Sequence, residues 1–146
     1  MAHKKLFIPG PVEVDQGVLN KMSTPMIGHR TAEWSDLQRR VSEKLQTLMY
    51  TGNPIILSAS SGTGLLEMAI RCTTVKRAIV FSVGAFGNRW HAIAEGNGVP
   101  ADKYEAQWGR GITPEVVEHH LSMKSNDVAT VTHNETSTGV MNNVEQ

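Results

Sequence analysis

The sequence predicts an α/β domain with a largely parallel sheet, and three observations support this. The chain has 146 residues, which is enough for one domain with its own core. Short apolar or alternating runs, typical of strands, lie at 55–59, 78–84, 102–108 and 127–133. Helical patterns separate these runs, and strands that alternate with helices form parallel sheets through right-handed crossovers.

The first residues are expected to stay outside the sheet. Pro9, Gly10 and Pro11 forbid a regular element, so residues 1–20 are predicted to form an extended arm and residues 21–146 the α/β domain. An amphipathic helix is predicted over 31–50, with Thr31 as its N-cap. The cluster Gly52-Asn53-Pro54 is expected to end this helix.

Three further helices follow in the prediction. The first leads from the glycine-rich turn SASSGTG at 58–64 to about Cys72. The second covers AFGNRWHAIAEGNG at 85–98. The third starts with Thr113 as its cap and Pro114 at the first helical position, a strong start signal.

Composition excludes several classes of function. The 14 basic and 14 acidic residues balance and aromatic residues make up 5%, which argues against a nucleic-acid-binding protein. The single Cys72 excludes an internal disulfide and a cysteine-based zinc site, and it fits a reducing cytosol. No apolar run reaches membrane-spanning length. We therefore expect a cytoplasmic protein without a metal site, and with no nucleic-acid or membrane partner.

The turn after the first predicted strand is suited to hold an anion. Ser61, Gly62, Thr63 and Gly64 stand at a helix N-terminus, where free N–H groups and the helix dipole favour a phosphate. No lysine follows, as a nucleoside-triphosphate loop requires, and Glu67 replaces the third small residue of the dinucleotide fingerprint. The turn therefore suits a monophosphate, with a purely structural turn as the alternative.

Two other polar segments follow predicted strands, at the edge where α/β sheets bind ligands. Phe86 stands between Gly84 and Gly87, where its ring is able to stack on a planar ligand; a core phenylalanine is the alternative. The segment HNETSTG at 133–139 crowds polar side chains after the last strand, although ordinary turns have a similar composition.

Taken together, the motifs PGPV, GHRT, SSGTGLLEMA, GAFGNRW and HNETSTG resemble those of class V aminotransferases of the alanine–glyoxylate and serine–pyruvate type. The resemblance covers essentially the whole chain but only the N-terminal part of a typical member. It implies an enzyme of fold type I that uses pyridoxal 5′-phosphate, with this chain forming part of the large cofactor-binding domain.

The resemblance also implies roles for individual residues. Ser61, Gly62 and Thr63 match the cup that holds the cofactor's phosphate. Phe86 matches the aromatic residue that stacks on the pyridine ring, and Thr136 matches a hydroxyl that hydrogen-bonds the cofactor near its phenolic oxygen.

The family's remaining functional residues are less well represented. Gly28 matches a glycine on the substrate side of the pocket. In this family the Schiff-base lysine and the acidic partner of the pyridine nitrogen follow the ETSTG segment, so both are expected beyond Gln146. The lysines of this chain, including Lys124, fall in surface contexts, and Asp127 begins its strand rather than ending it near the site. No catalytic residue is therefore expected within these 146 residues.

The leading hypothesis is an N-terminal portion of an aminotransferase, inactive alone. The parent would transfer the amino group of a small amino acid, such as alanine or serine, to glyoxylate or pyruvate, and would be a homodimer. Two alternatives remain at this point. One is a non-catalytic aminotransferase-like interaction subunit or fragment, and the other is a generic mononucleotide-binding α/β domain.

Overall fold

The structure is a computed structural model that describes residues 3–123 and 125–145. The chain divides into two compact units, Met1–Ser58 and Ala59–Gln146. The first unit contains helices α1 (Gln16–Met22) and α2 (Ala32–Leu48). The second contains helices α3 (Gly62–Thr73), α4 (Ala85–Gly96) and α5 (Pro114–Met123), and strands β1 (Ala78–Ser82), β2 (Ala101–Glu105), β3 (Val128–Val131), β4 (Asn134–Glu135) and β5 (Val140–Met141).

The extended start of the chain is shorter than predicted. Residues 3–14 form no helix or strand, but α1 begins at Gln16. Its N-cap is Asp15, whose carboxylate accepts a hydrogen bond from the Gly17 N–H at 2.7 Å. The local cap therefore starts a helix inside the segment that the proline pattern predicts as an arm, because the prolines restrict only the residues around them.

Helix α2 confirms its predicted start. The hydroxyl of Thr31 accepts a hydrogen bond from the Trp34 N–H at 3.3 Å, as an N-cap does. The end differs, because Tyr50 rather than Gly52 adopts the left-handed conformation, with φ 51°. The N–H groups of Tyr50 and Thr51 donate to the carbonyls of Thr47 and Gln46, which is the hydrogen-bond pattern of a Schellman motif.

The strand predicted at 55–59 is wrong. Residues 54–58, between α2 and α3, form no helix or strand, and no described strand pairs with them. Ile56 and Leu57 are exposed. An apolar run becomes a strand only where another backbone edge accepts its hydrogen bonds, so composition alone overstated this element.

The sheet of the second unit is parallel, as predicted. Its strand order is β2-β1-β3, with β1 in the centre and both neighbours parallel to it. All five residues of β1 are buried. Ile70 of α3, Ala78 of β1 and Ala94 of α4 form the core beneath them. Burial of an apolar side chain such as Phe81 contributes about 1.5–3 kcal/mol, so β1 is the main support of this unit.

The parallel arrangement sorts the loops onto two edges of the sheet. At the amino edge, the carboxylate of Asp127 accepts hydrogen bonds from the N–H groups of Val75, Lys76 and Arg77, at 2.8, 2.8 and 2.9 Å. At the carboxyl edge, β1 ends at Ser82 and β3 at Val131, and the short hairpin of β4 and β5 follows β3. Asp127 therefore begins its strand at the opposite edge from the candidate site, as predicted.

Candidate functional site

The predicted phosphate cup lies at the N-terminus of α3. Ser61 is the N-cap, in an extended conformation, but its side chain makes no capping hydrogen bond. The N–H groups of Gly62 and Thr63 stand in the first turn, where a helix has no internal acceptors for them. A Cβ on Gly62 would meet no atom within 4 Å, so the space beside this glycine is open. The first turn of α3 therefore has no cap from the Ser61 side chain and has open space beside Gly62.

Phe86 lies in the first turn of α4, and the residue is 41% exposed in this chain, which is more than a core phenylalanine shows. The guanidinium carbon of Arg89 lies 5.4 Å from the centre of this ring, a cation–π distance. The same guanidinium donates a hydrogen bond to the Thr63 hydroxyl at 3.4 Å. Arg89 therefore links the start of α3 to the aromatic ring of α4.

Phe86 and Thr136 line the same hollow, of about 230 Å³. The other lining residues come from α3, α4, the turn after β3 and the start of β4: Leu66, Trp90, Thr132 and Asn134. Thr63 does not line this hollow, but it lies one helical turn before Leu66 and contacts Arg89. The structure therefore brings Phe86 and Thr136 together directly, and connects them to the α3 turn through Leu66 and Arg89.

Glu135, which the sequence motifs did not single out, holds this region together. Its carboxylate is 1% exposed. One oxygen, Oε2, accepts hydrogen bonds from the N–H groups of Phe86 at 2.9 Å and Gly87 at 3.1 Å. The other, Oε1, accepts from the hydroxyl of Ser137 at 2.6 Å and from its N–H at 3.2 Å. Both oxygens are therefore saturated by donors from two separate segments.

Two further hydrogen bonds join the same segments. The Ser137 hydroxyl accepts from the Ala85 N–H at 2.9 Å, and the Thr138 hydroxyl donates to the Val83 carbonyl at 2.9 Å. Close approach requires a glycine here, since a Cβ on Gly84 would lie 2.6 Å from Cγ of Glu135. The loop after β1 and the turn after β3 therefore form one hydrogen-bonded block.

Glu135 is held in its charged form by these contacts. Burial raises the pKa of the Glu135 carboxyl, but the hydrogen bonds from Ser137, Gly87 and Phe86 lower it by more, so the pKa lies below its ordinary value. The carboxylate also stands at the positive end of the α4 dipole. The N-terminus of α4 therefore already holds a negative charge, whereas the first turn of α3 has no such acceptor from its N-cap side chain.

Gly28 and the lysines complete the list of residues that the sequence analysis considered. Gly28 belongs to the first unit, where its carbonyl accepts hydrogen bonds from the N–H and hydroxyl of Thr31. A Cβ on Gly28 would lie 2.9 Å from Cγ2 of Thr31, so the tight turn before α2 accounts for this glycine. None of the residues that line the 230 Å³ hollow is a lysine. Lys124 lies outside the described residues.

Within residues 3–123 and 125–145, no three His, Cys, Asp or Glu side chains are placed to bind a metal ion together. Over the same residues, no helix combines the length and the apolar character needed to cross a bilayer.

The chain is similar in sequence to aminotransferases and to a hydrogenase subunit. No family model matches the chain. An uncharacterised aminotransferase of Methanocaldococcus jannaschii is 38% identical over 98% of this chain and 38% of its own length. The small subunit of a soluble hydrogenase of Synechococcus is 35% identical over 96% of this chain and 38% of its own length. A serine–glyoxylate aminotransferase of Methylorubrum extorquens is 30% identical over 95% of this chain and 36% of its own length. The chain thus spans little more than a third of these relatives.

A solved structure shows the same fold. The alanine–glyoxylate aminotransferase of Nostoc superposes with a TM-score of 0.86 over 99% of this chain and 41% of its own, at 24% identity. At that level of identity the structure supports the fold alone. The likeness in sequence rests on the relatives named above. The sequence and the fold of this chain are therefore similar to those of the N-terminal portion of class V aminotransferases, in the large domain of fold type I.

Proposed function

We propose that this chain supplies part of the pyridoxal 5′-phosphate site of an aminotransferase. In this proposal the first turn of α3, with Ser61, Gly62 and Thr63, binds the phosphate. Phe86 stacks on the pyridine ring, and the Thr136 hydroxyl hydrogen-bonds the cofactor near its phenolic oxygen. The observation that supports this assignment best is the hollow shared by Phe86 and Thr136, next to the open N-terminus of α3.

The residues fit the group on physical grounds. The N–H groups of an α-helix's first turn, together with its dipole, favour a phosphate. Gly62 leaves open space where a side chain would block close approach. The Phe86 ring has enough exposed surface for stacking, and the Arg89 guanidinium adds positive charge beside Thr63. A second phosphate position at α4 is disfavoured, because Glu135 places a negative charge there.

When bound, pyridoxal 5′-phosphate supplies the electron sink that amino-group transfer needs. This chain's residues then bind and orient it: the α3 turn fixes the phosphate, Phe86 fixes the ring plane, and Thr136 holds a proton donor at the ring's oxygen. Phe86, Trp90 and Leu66 give the hollow an apolar lining. No residue of this chain is assigned a covalent step.

The wider proposal concerns the parent enzyme. It would transfer the amino group of a small amino acid, such as alanine or serine, to glyoxylate or pyruvate. The name of the Methylorubrum relative, serine–glyoxylate aminotransferase, supports glyoxylate as acceptor. Gly28 on the substrate side, a homodimer and a cytoplasmic location belong to the same proposal and rest on the resemblance.

Calorimetric titration with pyridoxine 5′-phosphate tests the cofactor assignment. This analogue lacks the aldehyde, so it cannot react with surface lysines and reports only the non-covalent site. We expect it to bind more tightly than pyridoxine or inorganic phosphate alone, and Phe86→Ala to weaken it. Trp108→Ala, which removes another exposed aromatic side chain, is the matched control. Tighter binding of AMP than of the analogue would instead favour the mononucleotide-binding alternative.

One observation favours a second function, a non-catalytic subunit. The Synechococcus relative bears the name of a hydrogenase subunit. Under that function the chain would bind no pyridoxine 5′-phosphate and would form a complex of fixed stoichiometry with the other subunits of a soluble hydrogenase. Light scattering of the purified mixture, together with the titration, distinguishes the two functions.

A further inference from the structure

Glu135 is an unusual cap for α4. The N-cap position is Gly84, which has no side chain to accept the first N–H groups of the helix. A serine, threonine or aspartate at that position would cap α4 locally. Instead, the carboxylate reaches the N–H groups of Phe86 and Gly87 from 49 and 48 residues later in the chain. The cap therefore also ties two distant segments together, which a local cap would not do.

The charge of Glu135 is balanced without a cation. Among the ion pairs of the described residues, none includes Glu135. Its four hydrogen bonds come from N–H groups and a hydroxyl instead. A buried charge held only by such donors is costly to misplace, because any shift leaves donors or the carboxylate unpaired. This makes the position of the two segments strongly specified.

The segments that Glu135 ties are those that carry the proposed ring-binding residues. Phe86 donates its backbone N–H to the carboxylate, so its backbone is held in place while its side chain stays partly exposed. Thr136 lies between Glu135 and Ser137, and both neighbours are hydrogen-bonded to the first turn of α4. The two walls of the hollow are therefore set by one carboxylate.

The same carboxylate affects where a phosphate is able to bind. By standing at the N-terminus of α4 it repels a second anion there and leaves the first turn of α3 available. A ligand that carries both a ring and a phosphate then has one favourable orientation, with its ring at Phe86 and its phosphate at Thr63.

We infer that Glu135 is a positioning residue of this site: it holds Phe86 and Thr136 on one hollow and directs the ligand's phosphate to the start of α3. This inference rests on the proposed function. It does not make Glu135 a catalytic residue, because the side chain is buried behind the segments that would contact the ligand.

Three substitutions separate position from charge. Glu135→Gln keeps the length of the side chain but has a single acceptor oxygen, so either the N–H groups of Phe86 and Gly87 or the N–H of Ser137 lose their acceptor. Glu135→Asp keeps the charge but is shorter by about 1.5 Å, one carbon–carbon bond. Glu135→Ala removes the side chain and serves only if the unit still folds. Glu118→Gln, an exposed acid on α5, is the matched control.

The first measurement needs no ligand. Amide hydrogen exchange followed by NMR reports on the N–H groups of Phe86 and Gly87, and Val80 in β1 reports on unfolding of the unit. In Glu135→Asp, whose shorter side chain withdraws the acceptor from these N–H groups, we expect exchange at Phe86 and Gly87 to be faster by roughly tenfold or more, with Val80 unchanged. In Glu135→Gln the faster exchange is expected either at Phe86 and Gly87 or at Ser137, depending on which side the amide oxygen faces. Unchanged rates at Phe86 and Gly87 in Glu135→Asp, or equal acceleration at Val80 in every variant, would overturn the inference.

The second measurement uses pyridoxine 5′-phosphate and inorganic phosphate on the same variants. We expect the analogue to bind roughly tenfold more weakly to Glu135→Gln, while the affinity for phosphate alone is kept, because the α3 turn is untouched. Equal affinity of wild type and variants for the analogue would overturn the positioning role. If the wild type itself binds no analogue, the proposed function fails, and the exchange measurement still decides whether Glu135 positions Phe86.

Discussion

Oε2 of Glu135 lies 2.9 Å from the backbone nitrogen of Phe86, a residue 49 positions earlier in the chain. This hydrogen bond joins the turn after β3 to the first turn of α4, and it explains why Phe86 and Thr136 line one hollow. The two residues that the sequence assigns to a ligand are therefore positioned by a third that it did not assign.

The close approach of Glu135 to Gly84 is directly testable. Gly84→Ala would place a Cβ 2.5 Å from the Ser137 hydroxyl oxygen and 2.6 Å from Cγ of Glu135. Because both neighbours are held by hydrogen bonds, we expect a loss of about 1–3 kcal/mol in the free energy of unfolding. Urea denaturation followed by circular dichroism measures this change.

Gly96→Ala is the matched control at the other end of α4. A Cβ there would meet nothing within 4 Å, and alanine is the better helix former, so no loss of stability is expected. Equal effects of the two substitutions would show that Gly84 is not required by the packing of Glu135.

Asp127 should make the stability of the second unit sensitive to acid. Hydrogen bonds from the backbone N–H groups of Arg77, Lys76 and Val75 lower the pKa of the Asp127 carboxyl below its ordinary value of 3.8, and outweigh the opposite effect of burial. The unfolded chain therefore binds a proton at a higher pH than the folded chain does. The contribution to stability is present above pH 3.8 and is lost as the pH falls through the folded pKa.

Asp127→Asn should therefore lower stability at neutral pH and flatten the dependence of stability on pH below 3.8. Thermal melts at a series of pH values measure both effects. Glu118→Gln, which changes an exposed acid, serves as control. A variant that keeps the wild-type acid dependence would show that another group is responsible.

Arg89 should contribute to phosphate affinity through its charge. Its guanidinium reaches the Thr63 hydroxyl at the start of α3. We expect Arg89→Gln to weaken binding of pyridoxine 5′-phosphate roughly fivefold, and to reduce the loss of affinity that added salt causes. Arg71→Gln is the control, since Arg71 lies in the last turn of α3, far from its start, and pairs with Glu67. An equal effect of both substitutions would indicate only a general loss of positive charge.

The end of α2 offers a stabilising substitution. Tyr50 adopts an unfavourable backbone conformation, with φ 51°, and is 97% exposed. Its side chain therefore makes few contacts that would offset the cost of this conformation. Tyr50→Gly should raise the stability of the first unit by about 1 kcal/mol, because glycine has no Cβ to oppose this conformation. Urea titration of helix content measures it. Gly52→Ala, where a Cβ meets nothing within 4 Å, should change little, and a gain there instead would contradict the assignment.

Much of this fold could be predicted from local pattern. The cap at Thr31 and the buried run of β1 depend on residues near one another in the sequence, and both are confirmed. The strand at 55–59 failed because a strand also needs a partner edge, which a local pattern does not contain. Likewise, Pro9 and Pro11 could not report the cap at Asp15 that starts α1.

The candidate site shows the same division. Phe86 and Thr136 could be placed at one sheet edge, because parallel strands end together. Glu135 was missed because its partners lie in another segment, and only the tertiary structure shows that Gly84 lacks a local cap and that Glu135 replaces it. The one sequence signal for Glu135 is an acidic residue that follows a strand end, together with a neighbouring helix whose N-cap is a glycine.

The central claim is that one ligand contacts the residues of all three segments at once. Intermolecular nuclear Overhauser effects in the complex with pyridoxine 5′-phosphate test this directly. We predict contacts from the ligand's ring protons to both the Phe86 ring and the Thr136 methyl group, together with amide shifts at Gly62 and Thr63. A bound ligand that contacts neither Phe86 nor Thr136, or that shifts only amides distant from α3, would contradict it.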